Sequence, residues 1–199
     1  YQLAKLEHLH HELFSLYPLE LVSKSLIKPA LAELRGQADK LTSLSGNYHF
    51  YWHFLQQRIG GLFLRNTLQN NGRKIALMGC GDSQAEIELM LFGLPLITHG
   101  YRLVFLGCNV PLDAIPLTMS RANAEALLVT LSAQDETESA EIIASIGTLA
   151  ESINSPVFAC GEISSNSTNN LTSHGITLLE DGSESQVVAI ESKLGKDSV

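Results

Sequence analysis

The hydrophobic period of this chain changes once, at Gly72, and that change limits the fold more than any other feature. Beyond it, apolar runs of strand length occupy 74–79, 101–106, 126–131, 156–159 and 175–179. Stretches of helical length separate them, at 83–98, 111–122, 136–152 and 182–194. Near-continuous apolar strands are covered on both faces, and strands alternating with helices build a parallel sheet with crossover helices. The fourth connection, 161–173, is rich in Ser and Asn and reads as a loop or a frayed helix. A ligand site in such a sheet lies beyond the carboxyl ends of its strands.

Before Gly72 the pattern is helical. Leu3, Leu6, Leu9, Leu13 and Leu16 recur at helical spacing until Pro18 breaks the run. A second helix spans Leu19 to about Gly36, with a kink or break expected at Pro29. The polar stretch 37–46 reads as a connection in which Leu41 and Leu44 could add a turn. A long aromatic-rich helix follows from Asn47 to Gln69, and Asn70-Asn71-Gly72 suits a helix C-cap. The expected architecture is α/β: a helical bundle over 1–72, then a Rossmann-like (flavodoxin-like) five-stranded parallel-sheet domain over 73–199.

Composition narrows the partners. A chain of 199 residues, 45% apolar, can bury a sizeable core. With 13 basic and 21 acidic residues its net charge is -8, so it repels phosphate backbones and is not itself a DNA-contacting surface. No apolar run reaches the length of a membrane span, and the start lacks a signal-peptide pattern, so a cytoplasmic location is expected. Three cysteines, Cys80, Cys108 and Cys160, sit at predicted strand ends and read as reduced thiols. A first residue of Tyr rather than Met is expected of a fragment of something longer.

The motif with most chemical content follows the first strand: Gly79-Cys80-Gly81-Asp82. It lacks the three-glycine dinucleotide spacing and the Lys-Ser/Thr of a P-loop. Asp82 fits a helix N-cap, with Glu86 adding favourable charge to the first turn. His99 suits the C-terminus of that helix. His8, His10 and His11 on the first helix read as solvated. His49 and His53 share one helix face, which could present an axial ligand to a haem, although two ordinary surface histidines give the same spacing. Thr130 and Ser132 could line a pocket. No nucleophile elbow, acid/base pair or metal-ligand cluster is visible, and no enzymatic activity is expected.

The order of helical bundle, βαβ unit with this turn, and Gly107-Cys-Asn-Val-Pro-Leu-Asp113 resembles the effector domain of MerR-type light- and cobalamin-sensing transcription regulators (the CarH/LitR kind) over about residues 20 to 160. The family carries Asp/Glu-x-His-x-x-Gly after the first strand, and its His binds cobalt beneath the corrin. Here those positions read Asp82, Gln84 and Ile87. The family's Ser-x-Leu falls on Val129 and Leu131, and its Gly-Gly pair on Cys160-Gly161. The Trp and Glu-His that cap the corrin from the bundle fall on Ala38, Tyr48 and His49, with Trp52 available to refill the space.

By that resemblance Asp82, Gln84, Ile87, Val129, Leu131, Gly161, Tyr48, His49 and Trp52 would surround any ligand, while conventional cobalamin binding is disfavoured. Gln is a poor donor for cobalt, and Ile at the Gly position adds volume where the nucleotide tail needs a corridor. Three states of the cavity stay open: collapse around the aromatics from Tyr48 to Phe54, weak cobalamin binding without a lower ligand, or haem with His49 or His53 as axial ligand. The expected role is a sensory and oligomerisation module, self-associating, with DNA contacted only through a domain ahead of Tyr1. The alternatives are a corrinoid shuttle domain of a methyltransferase system and a haem sensor.

Overall fold

The computed structural model describes residues 2–81, 83–132, 136–161, 165–179 and 183–195, with backbone alone for 83–84, 136, 165–167 and 183–184. The chain forms two compact units, Tyr1–Leu62 and Phe63–Val199.

The first unit is helical. Helix α1 (Leu3–Leu16) buries only His10, and Tyr17, in extended conformation, ends it ahead of Pro18. Helix α2 (Leu19–Val22) runs into a π-helical turn, Ser23–Ile27, and then into α3 (Lys28–Lys40). The expected break at Pro29 takes this form. Proline lacks an N–H, and in a regular helix its ring collides with the carbonyl four residues back. Widening the preceding turn, where the Lys28 N–H donates to the Ser23 carbonyl, accommodates the ring without interrupting the helix. The helix therefore continues past Gly36. A 3-10 turn at Thr42–Leu44 leads into α4 (Ser45–Gln69). Val22, Ile27, Leu31, Leu55 and Ile59 form the unit's buried centre.

The second unit takes over the last turns of α4. Phe63 meets Phe105 with ring centroids 6.4 Å apart, the Thr67 hydroxyl donates to the Leu103 carbonyl at 3.0 Å, and the Asn70 amide donates to the carbonyls of Ile97 and Tyr101. The helix ends at Gln69 as expected, with the Asn70 N–H donating to the Asn66 carbonyl at 2.8 Å, and the cap is made without a positive φ at 70–72. Gly72 is needed for a different reason: a Cβ there would collide with the Gly100 carbonyl.

Five parallel strands follow: β1 (Lys74–Cys80), β2 (Arg102–Cys108), β3 (Ala126–Leu131), β4 (Val157–Gly161) and β5 (Thr177–Leu178). Their spatial order is β2-β1-β3-β4-β5, the doubly wound order with its switch point between β1 and β3. The crossovers are α5 (Ser83–Thr98), α6 (Ile115–Ala122), α7 (Glu136–Ser152) and α8 (Ser165–Ser173), and α9 (Ser183–Leu194) follows β5. The Ser/Asn-rich connection thus contains a helix, with Leu171 buried in the core. One face of the sheet packs Leu127, Val129 and Leu131 against Ile115 and Met119 of α6 and Ile143, Ile146 and Leu149 of α7. Helix α5 covers β1, β2 and β3 and ends where the His99 ring nitrogen bonds the Pro95 carbonyl at 2.9 Å, as expected of a C-terminal histidine. Among the described residues no helix is long and apolar enough to cross a membrane.

Candidate functional site

The switch point between β1 and β3 puts two strand ends side by side, and in this fold ligands bind just beyond them. Here the parallel ladder runs on to the last described residues of both strands. The Ser132 N–H donates to the Cys80 carbonyl at 3.0 Å. Gly81 takes φ +120, and a Cβ at that position would overlap the Ser132 carbonyl, so only glycine fits. From the other side Asn109, itself left-handed with φ 54, clamps the same turn. Its side-chain oxygen accepts from the Gly81 N–H at 3.1 Å, its amide donates to the Gly81 carbonyl at 2.8 Å, and its backbone N–H donates to the Gly79 carbonyl at 2.8 Å. Asparagine tolerates this region because its short amide can bond locally.

Below that turn a seam runs between α5 and the sheet. The Thr130 hydroxyl donates to the Ala85 carbonyl at 2.9 Å, and both residues are fully buried. Gly79 lies against them: a Cβ there would press on Cys108 and sit 3.4 Å from both the Ala85 Cβ and the Thr130 hydroxyl. Cys80 is buried in the α6/α7 core, and burial pushes its thiol up to about 11, which favours the protonated form at neutral pH. None of the three cysteines is in a disulfide. Among the described residues no group of three His, Cys, Asp or Glu side chains could hold a metal.

The residues singled out from sequence distribute as follows. Asp82 lies outside the described residues, and so does the side chain of Gln84, whose backbone belongs to the first turn of α5. Ile87 is buried, two residues on from Ala85 and so about 200° round the helix from it. Val129 and Leu131 belong to the α6/α7 core, and Thr130 between them, on the other face, is a β3 residue whose hydroxyl reaches α5. Alternation with a period of two explains this, because one residue along a strand reverses the face. Thr130 does not line an open pocket, since its hydroxyl is spent on Ala85. Gly161 ends β4 with φ +119, where a Cβ would lie 2.5 Å from the Leu131 carbonyl.

In the helical unit Tyr48 is half-buried, with its ring 5.5 Å from that of His49. His49 and His53 are both exposed. Trp52 is buried, its ring 4.8 Å edge-on from His53, and its indole N–H finds no partner among the described residues. The histidine that sequence reasoning misplaced is His10, which is not solvated: it is 3% exposed. Its Nε2 is 3.3 Å from the Tyr51 hydroxyl, and its ring meets Phe54 at 4.9 Å and Phe14 at 5.6 Å. Burial, and then the Arg58 guanidinium, lower its pKa against an opposing pull from Glu7. Burial pushes the Tyr51 phenol up to about 12. Beside this cluster Arg58 donates to Glu7 at 2.8 Å. The available signal for His10 was its place between Leu6 and Phe14 on one helix face, in register with the leucines rather than with His8 and His11.

No family model matches the chain, and no curated protein matches it. Among solved structures it is similar to the monomethylamine corrinoid protein of Methanosarcina barkeri, with a TM-score of 0.57 and 16% identity over 85% of this chain and 84% of that one. A novel cobalamin-binding protein from Desulfitobacterium hafniense DCB-2 aligns over 90% of this chain and 96% of that one, with a TM-score of 0.49 and 15% identity. At such identity the first likeness establishes the fold: a parallel-sheet domain with accompanying helices, as the hydrophobic period implied.

Proposed function

We propose that this chain is the non-enzymatic sensory and assembly module of a transcription regulator, built on the fold of corrinoid-binding proteins but without conventional cobalamin ligation. The observation that carries the reading is the closed seam under α5, where Thr130 and Ala85 are bonded at 2.9 Å. Tail-inserted cobalamin needs a corridor between this helix and the sheet, and the residues present do not fit that mode. Ala85 and Thr130 are both fully buried there, and a Cβ on Gly79 would already touch both. The position where the family resemblance expects imidazole is Gln84, a weak donor for cobalt. The acidic balance of 21 to 13 supports placing the DNA-contacting part in a separate, basic segment ahead of Tyr1. Assembly into homodimers or higher oligomers would then carry the signal to DNA, by biasing one association state over another.

The first test is an absorption spectrum of the protein after incubation with adenosylcobalamin, hydroxocobalamin or haemin, followed by gel filtration. A colourless protein peak is the expected result. A co-eluting corrin band would overturn the reading in favour of a corrinoid carrier, a second reading favoured by the 0.57 TM-score against a corrinoid protein. A co-eluting Soret band would instead make the protein a haem sensor, with His49 and His53 the first residues to change. A further prediction separates ligand loss from corridor closure. Gln84→His alone should leave hydroxocobalamin uncaptured, because the seam stays shut, whereas Gln84→His with Thr130→Ala should capture it. Capture by the single variant would show that the closed seam is no barrier.

A further inference from the structure

Helix α1 carries leucines at helical spacing, yet His10 is the only residue it buries. Leu9 is 46% and Leu16 73% exposed, and Leu26, in the π-helical turn before α3, is 43% exposed. With Leu13 and Tyr51 these residues line an open groove of about 680 Å³ in the helical unit, within the range of roughly 300–1,000 Å³ usual for small-molecule sites. His10 belongs to the same lining and brings to it a feature that apolar packing does not explain. Its Nε2 is 3.3 Å from the Tyr51 hydroxyl, whereas its buried Nδ1 has no hydrogen-bond partner among the described residues. Buried ring nitrogens are nearly always paired, and an unpaired one carries the full desolvation of that atom uncompensated. Water is a poor remedy, because buried water needs two to four polar partners and the lining is otherwise apolar apart from the exposed Glu12 and Glu33. A polar group attached to an apolar body needs only the one bond.

We propose that this groove is the binding site of a small, uncharged, largely hydrocarbon molecule carrying one hydroxyl, which bonds the His10 Nδ1 while the hydrocarbon covers the leucines. Burial of an apolar body against apolar walls supplies the driving force. An anion is repelled by the carboxylates of Glu12 and Glu33 that border the groove. A cation beside the ring fares no better, because burial and then the Arg58 guanidinium, over the opposing pull of Glu7, already disfavour positive charge there. A hydroxyl suits either tautomer of the ring: it donates to a bare Nδ1 or accepts from a protonated one, while the Tyr51 hydroxyl takes the complementary role at Nε2. The terminal torsion of histidine is broad, so a small turn of the ring meets the bound group. A helix from a second copy of this chain, or from another protein, would cover the leucines, but its backbone N–H groups are used within its own helix and would leave Nδ1 unpaired. The site lies wholly within the helical unit and does not depend on the function proposed above.

The test is equilibrium dialysis of the chain Tyr1–Val199, in sealed cells, against thymol and three relatives with the same kind of ring: p-cymene, which lacks the hydroxyl; cuminate, a carboxylate; and cuminylamine, a cation. Thymol should bind saturably, one molecule per chain, and about fivefold more tightly than p-cymene, as one net hydrogen bond implies. Hydrophobicity alone would favour p-cymene, the less water-soluble of the two. Cuminate and cuminylamine should each bind at least about tenfold more weakly than thymol. Two substitutions locate the site. Leu9→Glu, at an exposed position, should weaken thymol and p-cymene together without unfolding the chain. His10→Phe keeps a ring against Phe14 and Phe54 and should abolish the preference for thymol while p-cymene still binds, with circular dichroism reporting the helices. The ligand series on the unsubstituted chain decides the matter even if His10→Phe does not fold. Failure of thymol to saturate, equal or tighter binding of p-cymene or of either ion, or thymol binding untouched by Leu9→Glu would each overturn the proposal. So would an affinity that falls as protein concentration rises, because a second copy would then be filling the groove.

Discussion

His10 shows how one residue's surroundings set a measurable property of the whole protein. Its folded pKa lies below the ordinary 6.5 because burial and Arg58 disfavour the imidazolium, with Glu7 opposing and the neutral Tyr51 phenol alongside. The unfolded chain therefore binds the proton more readily. Stability from this group is complete above about 6.5 and is lost as pH falls through that value toward the lower folded pKa. His10→Leu should flatten the acid-side decline of the melting temperature between neutral and mildly acidic pH; an unchanged slope would show that other groups govern it. Two sheet residues give sharper tests. Thr130→Val removes the hydroxyl that reaches Ala85 and should cost about 1 kcal/mol in denaturant unfolding. Gly161→Ala forces a Cβ toward the Leu131 carbonyl at φ +119 and should cost about 1–3 kcal/mol or more. Of the three roles only that of His10 had a local signal, its register with the leucines of α1; Thr130 differs from Val129 and Leu131 only in the face it takes, and Gly161 gains its requirement from Leu131 on the neighbouring strand.

At the scale of elements, Gly93 joins α5 to the end of α4. A Cβ there would lie 2.7 Å from the Phe63 ring and 3.0 Å from a Leu103 methyl. Gly93→Ala should therefore destabilise the protein by about 1–3 kcal/mol through overpacking. Phe63→Leu should recover part of that loss, a coupling that a double-mutant cycle reads directly. Independent additive effects would show that α4 does not pack there as described. Element type was largely readable, because strand-length apolar runs and helical leucine spacing are local signals. Element boundaries were less so. The polar 165–173 segment becomes a helix because Leu171 finds the core, and α3 outruns Gly36 because the π-helical turn absorbs Pro29.

For the molecule as a whole, a net charge of -8 makes the chain Tyr1–Val199 a poor ligand for nucleic acid by itself. It should fail to shift duplex DNA in an electrophoretic assay even at low salt. Retention at low salt that disappears as salt is added would mean that a basic surface has been overlooked. The sheet unit carries its candidate site at strand ends where Gly81, Ser132, Asn109 and Thr130 are held by hydrogen bonds. The helical unit leaves its leucines partly uncovered.

The order of elements, the parallel sheet and the covering of its strands on both faces were determined by the sequence alone. Each depends on the local density and period of apolar side chains, which any window of the chain displays. Which side chains meet was decided only by tertiary structure. In a strand the faces alternate every residue, so an offset of one moves Val129 and Leu131 into the α6/α7 core and gives α5 the intervening Thr130. In the helical unit the same holds for His10, whose burial depends on Tyr51 and Phe54, three helices further along the chain. Contacts between residues so far apart in the chain leave no local pattern, and the shape of a site is made of them.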